Sequence, residues 1–287
     1  MLLPPGPLDR DEAIQVADYL LPKLSRSVSF DVWTRKESGL LRTDRDTCSH
    51  CDDVLELARQ LASLHSGISV TSYDFEKHSS RAEESNITLA PTTIVRGNQR
   101  SIRLVGLFSG LLFPVLLDII WLVSQGRAPF TDEQRTILTD LTKDEIEIEA
   151  IITPYDPYSA HMARLLSAFA VETPLIKLEL TEMAELPILA GQRAIDQVPI
   201  TIINGKRFVG AWDEEPLLEQ LQRVIIGNDE PVIREQVLST PFLTEDQAIQ
   251  QAREELERQQ GIVGNVHSHS DHPTGNDPAG GLIVPGS

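Results

Sequence analysis

The spacing of apolar and polar positions divides the chain into short strands and amphipathic helices. Apolar residues every three or four positions mark a helix, and apolar residues every second position mark a strand. Residues 9–24 read as a first helix, with Leu8-Asp9 as its cap and Ile14, Ala17, Leu20, Leu21 and Leu24 as its stripe. A strand over 27–33 (SVSFDVW) follows, then a polar loop of mixed charge over 35–47. Residues 52–64 are a helix with apolar positions at 54, 55, 57, 58, 61, 62 and 64. A strand at 68–75, a short polar helix at 77–85 and a strand from 90 to 95 come next. Asn98 sits in the turn to a partner strand at 101–106, and 111–124 is a very apolar helix.

The order then recurs. Residues 131–141 form a linking helix capped by Thr131, and 145–152 a strand that turns over 153–159. A helix at 161–171 carries Met162, Leu165, Leu166 and Phe169 on one face. A strand at 175–180, a short helix at 182–191 and a strand at 198–203 follow. Asn204-Gly205 is a two-residue hairpin signal, with the return strand at 206–209 and a closing helix at 214–226. Two units of about 100 residues with one element order point to an internal repeat in an α/β fold. The units are taken as 1–127 and 128–226. In 227–287 the pattern fades to a charged helix over 245–260 and a terminal stretch rich in Gly, Ser, His, Pro and Asp that is expected to be disordered.

Composition narrows the function. The chain has 287 residues, 41% hydrophobic and 24% charged, as in soluble globular proteins. Its net charge of −18 disfavours nucleic acid or an anionic membrane as partner. Residues 104–123 imitate a membrane span, but Gly106, Gly110, Pro114 and Asp118 interrupt them, so a helix buried between the two units is expected. The start, MLLPPGPLDRDE, lacks the basic and apolar regions of a signal peptide, which favours a reducing cytoplasm.

In that setting the two cysteines carry the chemistry. Cys48-Ser49-His50-Cys51 follows a strand and opens a helix, the layout of thioredoxin-type redox motifs. A helix start offers free N–H groups and the positive end of the dipole, and both favour a thiolate. Cys48 is the expected nucleophile, as the more exposed sulfur, and Cys51 the resolving thiol. Such motifs lower the first cysteine's pKa to about 3.5–7.5. A protonated His50 adds positive charge and Ser49 a hydroxyl, so the couple should be less reducing than the roughly −270 mV of thioredoxin. Zinc is a poor alternative, because it wants four ligands and His65 and His78 are scattered. Burial as inert core cysteines is opposed by the polar run 44–50 and by Asp52-Asp53. Asp156, Ser159 and His161 imitate a hydrolase trio, but no nucleophile elbow surrounds Ser159, and helix capping accounts for Asp156 and Ser159.

Taken in order, Cys48-Ser49-His50-Cys51, Ala90-Pro91-Thr92-Thr93 and the 106–124 helix resemble the first half of a glutaredoxin-like protein disulfide oxidoreductase. That family has two tandem thioredoxin folds, as does the N-terminal domain of the flavoprotein subunit of alkyl hydroperoxide reductase. In the second half, residues 152–159 resemble the family segment ending in Cys-Pro-Tyr-Cys, with Asp156 and Ser159 in place of the cysteines. Val198-Pro199 and the hairpin at 203–206 match the steps that follow. The resemblance covers about 9–226. It implies two thioredoxin-like folds, each a mixed sheet flanked by helices, with one live site. It also implies that Pro91 is a cis-proline facing the redox pair, where Ala90 and Thr92 would receive an extended substrate strand, and that Pro199 is its relic. The loop at 35–47 is longer than the family's.

The expected function is dithiol–disulfide exchange with no bound cofactor and no metal. A flavin-dependent reductase or a small thiol would donate electrons, and protein disulfides or a peroxiredoxin would receive them. The alternative is a redox-sensing binding module whose thiol-free second unit docks a partner. Two features of the tail add expectations. His267, His269 and His272 are loose metal-ligand candidates, with disorder preferred. Leu282, Ile283 and Val284 have the form of a short docking peptide for a partner enzyme or a protein shell, or of random composition.

Overall fold

A computed structural model describes residues 7–20, 22–36, 46–141 and 143–267, the side chains of 260–267 excepted. Most of the 35–47 loop and the tail candidates His269, His272, Leu282, Ile283 and Val284 lie outside the described residues. The described residues up to Glu245 form one compact unit, and the described residues from Asp246 form a second.

The first half runs α1 (Arg10–Leu20), β1 (Val28–Thr34), α2 (Cys51–Leu64), β2 (Ile68–Asp74), α3 (Ser79–Glu84), β3 (Thr92–Gly97), β4 (Arg100–Val105) and α4 (Phe113–Gln125). The second runs α5 (Asp132–Leu141), β5 (Ile146–Ile152), α6 (Pro157–Glu172), β6 (Ile176–Glu182), α7 (Pro187–Gln192), β7 (Gln197–Val198), β8 (Ile200–Ile203), β9 (Lys206–Val209) and α8 (Glu214–Ile225). Then come β10 (Thr240–Pro241) and α9 (Glu245–His267), the latter exposed through residue 259 except at Glu245 and Ala248, which are partly buried.

One eight-stranded sheet has the order β2-β1-β3-β4-β6-β5-β8-β9. In each half a parallel pair (β1 with β2, β5 with β6) lies beside an antiparallel hairpin (β3–β4, β8–β9). The halves meet where β4 pairs in parallel with β6, Arg103 to Val105 against Glu179 to Thr181. This is a pair of tandem thioredoxin-like folds sharing one sheet. The join covers an edge strand of each half, which would otherwise present unpaired N–H and C=O groups.

Strand alternation sorts the core. Val28, Phe30 and Val32 of β1, Ile102 and Leu104 of β4, and Ile146, Ile148 and Ala150 of β5 face the main core with α1, α2, α4, α6 and α8. Their neighbours Trp33 and Ile94 face a cluster at α3, and Val105 and Ile151 face one at α7. Strands that bury both faces in this way lie between two helical layers.

The apolar stretch from 104 spans two elements: it ends β4, turns at Gly106 and enters α4. No helix among the described residues is long and apolar enough to cross a membrane. Instead α4 packs on β1, β3, β4 and α6, so it lies against both halves. Full burial of a Val, Leu or Ile contributes about 1.5–3 kcal/mol. Val115, Ile119, Ile120 and Val123 therefore hold α4 in place far more strongly than helix propensity does.

The first helix differs from expectation. Asp9 caps it through the N–H groups of Asp11 and Glu12, both at 2.8 Å, but the buried stripe is Ala13, Val16 and Leu20. Ile14 is half exposed. The stripe is set one residue back, because the helix must seat Val16 and Leu20 against the main core. The helix predicted at 161–171 begins earlier, at Pro157, since Asp156 caps it.

Gly106 fixes the exit of β4. Its φ is +91°, and a Cβ there would lie 2.8 Å from Cβ of Glu182. Gly191, in α7, has open space around it. Gly106→Ala should lower stability by about 1–3 kcal/mol. Gly191→Ala should be neutral, or stabilising by up to about 1 kcal/mol. Urea denaturation of both variants checks the contrast.

Candidate functional site

β1, β4, β5 and β6 run parallel, so their C-terminal ends share one end of the sheet, where β3 and β8 begin. The Cys48 motif, Pro91, Gly106, Tyr155, Glu182 and Pro199 all lie at or just beyond those ends. This is where open α/β sheets place ligands.

Cys48 and Cys51 form a disulfide, with Cα atoms 5.3 Å apart. Cys51 is the first residue of α2, and Cys48 sits in the turn before it, its carbonyl accepting from the Cys51 N–H at 3.4 Å. The Arg35 N–H, just past β1, donates to Cys51 Sγ at 3.0 Å. Cys48 is the more exposed of the pair, at 6% against 4%, yet both are buried. The polar neighbours had argued against burial. Ser49, Asp52 and Asp53 do face solvent, but the cysteines turn inward onto Ala90, forming a small cluster separate from the main core.

The Ala90–Pro91 and Val198–Pro199 bonds are both cis. Thr92 is buried and its hydroxyl donates to the Leu89 carbonyl at 2.7 Å. The sheet end thus brings together Cys48, Cys51, Ala90 and Pro91, while Ser49 stays exposed at the turn.

His50 is the electrostatic centre. Its Nδ1 lies 2.9 Å from Asp53 Oδ2, and its Nε2 lies 3.0 Å from both oxygens of Glu245. A neutral imidazole has one N–H, so two carboxylate-facing nitrogens call for the doubly protonated ring. Burial pulls the pKa down, but the hydrogen bonds to Asp53 and Glu245 and the charges of Glu185 and Glu245 outweigh it, raising His50 from 6.5 to about 9.

The second half contributes acids to the same end. Burial lifts Glu182 well above the usual carboxylate range, the Glu185 charge adding to it, although the N–H groups of Ala184 and Glu185 donate to Glu182. Glu185 is also raised by burial, opposed by the Leu107 N–H at 2.7 Å and by the charge on His50. Tyr155 is pushed to about 12 by burial and then by Glu245, Glu182 and Glu185. Asp46, two residues before Cys48, accepts from the Ile188 and Leu189 N–H groups at the start of α7.

Asp156 caps α6, accepting from the N–H groups of Tyr158 and Ser159 at 3.2 and 2.7 Å and from the Ser159 hydroxyl at 2.7 Å. His161 Nε2 bonds the Trp212 carbonyl at 2.9 Å, facing away from any hydrolytic arrangement with Ser159. Capping is therefore what these residues do.

No protein-family model and no curated protein matches the chain. Among solved structures it is similar to a protein disulfide oxidoreductase from Aeropyrum pernix K1, at 25% identity and a TM-score of 0.66, over 80% of this chain and 98% of that one. The chain resembles the protein disulfide oxidoreductases in fold and in its Cys-x-x-Cys pair. The N-terminal NTD_N/C domain of the alkylhydroperoxide reductase AhpF from Enterococcus faecalis is similar in fold, at 15% identity and a TM-score of 0.63, over 75% of this chain and 99% of that domain. On this tandem disulfide-oxidoreductase fold, the cysteine pair sits in the first half and the capped Asp156–Ser159 turn in the second.

Several residues of the site escaped sequence reasoning. Asp53 was legible in principle, three residues after His50 on one helix face. Glu182, Glu185 and Tyr155 arrive from the second half, and Glu245 comes from 195 residues away with no local signal.

Folded His50 keeps its proton up to about pH 9, whereas the unfolded residue releases it near 6.5. That proton favours folding fully below about pH 6.5, and the contribution is lost as the pH climbs through about 9. The denaturation midpoint of the disulfide form should therefore fall across this window. His50→Gln should flatten the fall, which the difference between the two pH profiles measures.

Proposed function

We propose that this protein is a thiol–disulfide oxidoreductase that exchanges electrons with protein disulfides, or with a peroxide-reducing partner, through Cys48 and Cys51. The observation that carries the reading is the cysteine pair at the start of α2, bonded to each other, packed on Ala90 and flanked by a His50 ring that two carboxylates keep protonated. The positive ring and the helix start both favour the Cys48 thiolate over the thiol.

In the reducing direction the Cys48 thiolate attacks one sulfur of a substrate disulfide. A mixed disulfide forms and the first substrate thiolate leaves. Cys51, deprotonated in turn, attacks the Cys48 sulfur, re-forming the internal disulfide and releasing the second substrate thiolate. The substrate gains two electrons and takes up two protons, and the Cys48–Cys51 dithiol loses both. A flavin-dependent reductase or a small thiol restores the dithiol, in a cytoplasmic setting. Ala90, Pro91 and Thr92, at the start of β3, and Ser49, exposed at the turn, would line the substrate approach.

The alternative is a redox-sensing binding module whose thiol-free second half docks a partner, and one surface it could use is the backbone edge of β7 beside Pro199. That edge is already paired, because β10 lies antiparallel to β7, Thr240 opposite Val198.

Replacing Cys48 by Ser should reduce turnover of a chromogenic aromatic disulfide, with a small thiol as donor, to the uncatalysed rate. Turnover equal to that of the unaltered protein would remove the reading.

A further inference from the structure

Residues 227–245 lie beyond the stretch that resembles the oxidoreductase family, and their hydrophobic pattern is weak. The structure nevertheless ties this segment down along its length. The Val232 N–H donates to Gln220 Oε1 at 2.8 Å. The Arg234 guanidinium stacks 3.9 Å over the Trp212 ring and donates to the carbonyls of Ala211 and Val209. The Ala211 N–H donates to the Leu238 carbonyl at 2.7 Å, and Gly210 passes so close that a Cβ there would meet Val237 Cγ1 at 2.7 Å. β10 then pairs with β7, the Phe242 N–H reaches the Asp196 carbonyl at 2.9 Å, and the Glu245 N–H reaches the Ala184 carbonyl at 3.0 Å. Phe242 packs on the cluster at α7.

We infer that residues 228–245 are a strap whose purpose at the redox site is to deliver Glu245, a positioning residue that anchors Nε2 of His50, the residue next to Cys51 in the motif. Asp53 belongs to the same helix as the motif and can serve Nδ1 whatever the strap does. Nε2 depends on Glu245 alone among the hydrogen-bonding partners described for that atom. The charged groups around the ring are Asp53 from α2, Glu245 from the strap and Glu185 from the segment before α7, with Tyr155 lying near Glu245. With Glu245 in place the ring is fixed at both nitrogens and stays cationic through neutral pH. Without it, one anchor and one reason to hold the proton are lost. The consequence for thiolate chemistry rests on the proposed dithiol function, but the placement of His50 does not.

The test uses the full chain in its disulfide form, so that no thiol titrates alongside the imidazole. The His50 ring is followed by NMR against pH in the unaltered protein, in Glu245→Gln and in Glu254→Gln. Glu254 is an acid of α9 that pairs with Arg258. The His50 midpoint should fall by about one unit or more in Glu245→Gln, as expected when a contacting opposite charge is removed. It should stay in place in Glu254→Gln. An unchanged midpoint in Glu245→Gln, or an equal fall in both variants, would overturn the inference. If the midpoint falls as expected while the unaltered protein fails to reduce disulfides, the strap stands and the dithiol function falls.

Discussion

The parallel pairing of β4 with β6 is the constraint on which the site depends. Among the described residues three residue pairs make this strand pairing, Arg103 to Val105 against Glu179 to Thr181. A half-buried ion pair, Arg103 to Glu179 at 3.0 Å, reinforces it. Its effect is geometric. Because the two strands run in the same direction, the cysteine-bearing end of the first half and the corresponding end of the second lie side by side. Leu107, just past β4, can then donate to Glu185, and Gly106 can press against Glu182. A join through any other edge would leave the cysteine pair without the acids of the second half, Glu182 and Glu185.

Those neighbours shape the chemistry. Three glutamates, one tyrosine and one histidine crowd the end of the sheet beside a disulfide. Glu182 is buried and Glu185 partly so, while Glu245 and Tyr155 stay partly open to solvent, and the cluster settles its charge in two ways. Glu182 and Glu185 are raised, whereas His50 holds its proton. The second half has no thiol, but it is not idle. It supplies the buried acids and, through α7, the N–H groups that Asp46 caps beside the motif.

The fold was largely legible in the sequence because its elements obey local periodicity. Nearly every strand and helix of 28–225 falls within a few residues of its apolar pattern, and both Asn-containing hairpins turn where Asn98 and Asn204-Gly205 stand with positive φ. The cysteine pair is legible from residue type and order, and the two cis-prolines only from the family resemblance. What was hidden depends on distance along the chain. Ile14 was assigned to the buried stripe because periodicity fixes spacing but not phase. The burial of Cys48 and Cys51 has no local signal, because their polar neighbours point outward while Ala90, some forty residues on, packs on the pair. The strap is not legible because, beside its hydrogen bonds and stacked arginine, its apolar anchors Val232, Leu238 and Phe242 are spaced too irregularly to make a period.

The central claim is that one exchange site operates in a two-unit fold and that Cys48 is its contact with substrate. The most direct measurement removes the resolving thiol. A reduced Cys51→Ser protein is mixed with a model protein disulfide, and the adduct is mapped by mass spectrometry after alkylation. The account predicts a stable mixed disulfide at Cys48, one per chain, that a small thiol releases. Absence of any adduct, at a disulfide concentration that oxidises the unaltered dithiol fully, would contradict it.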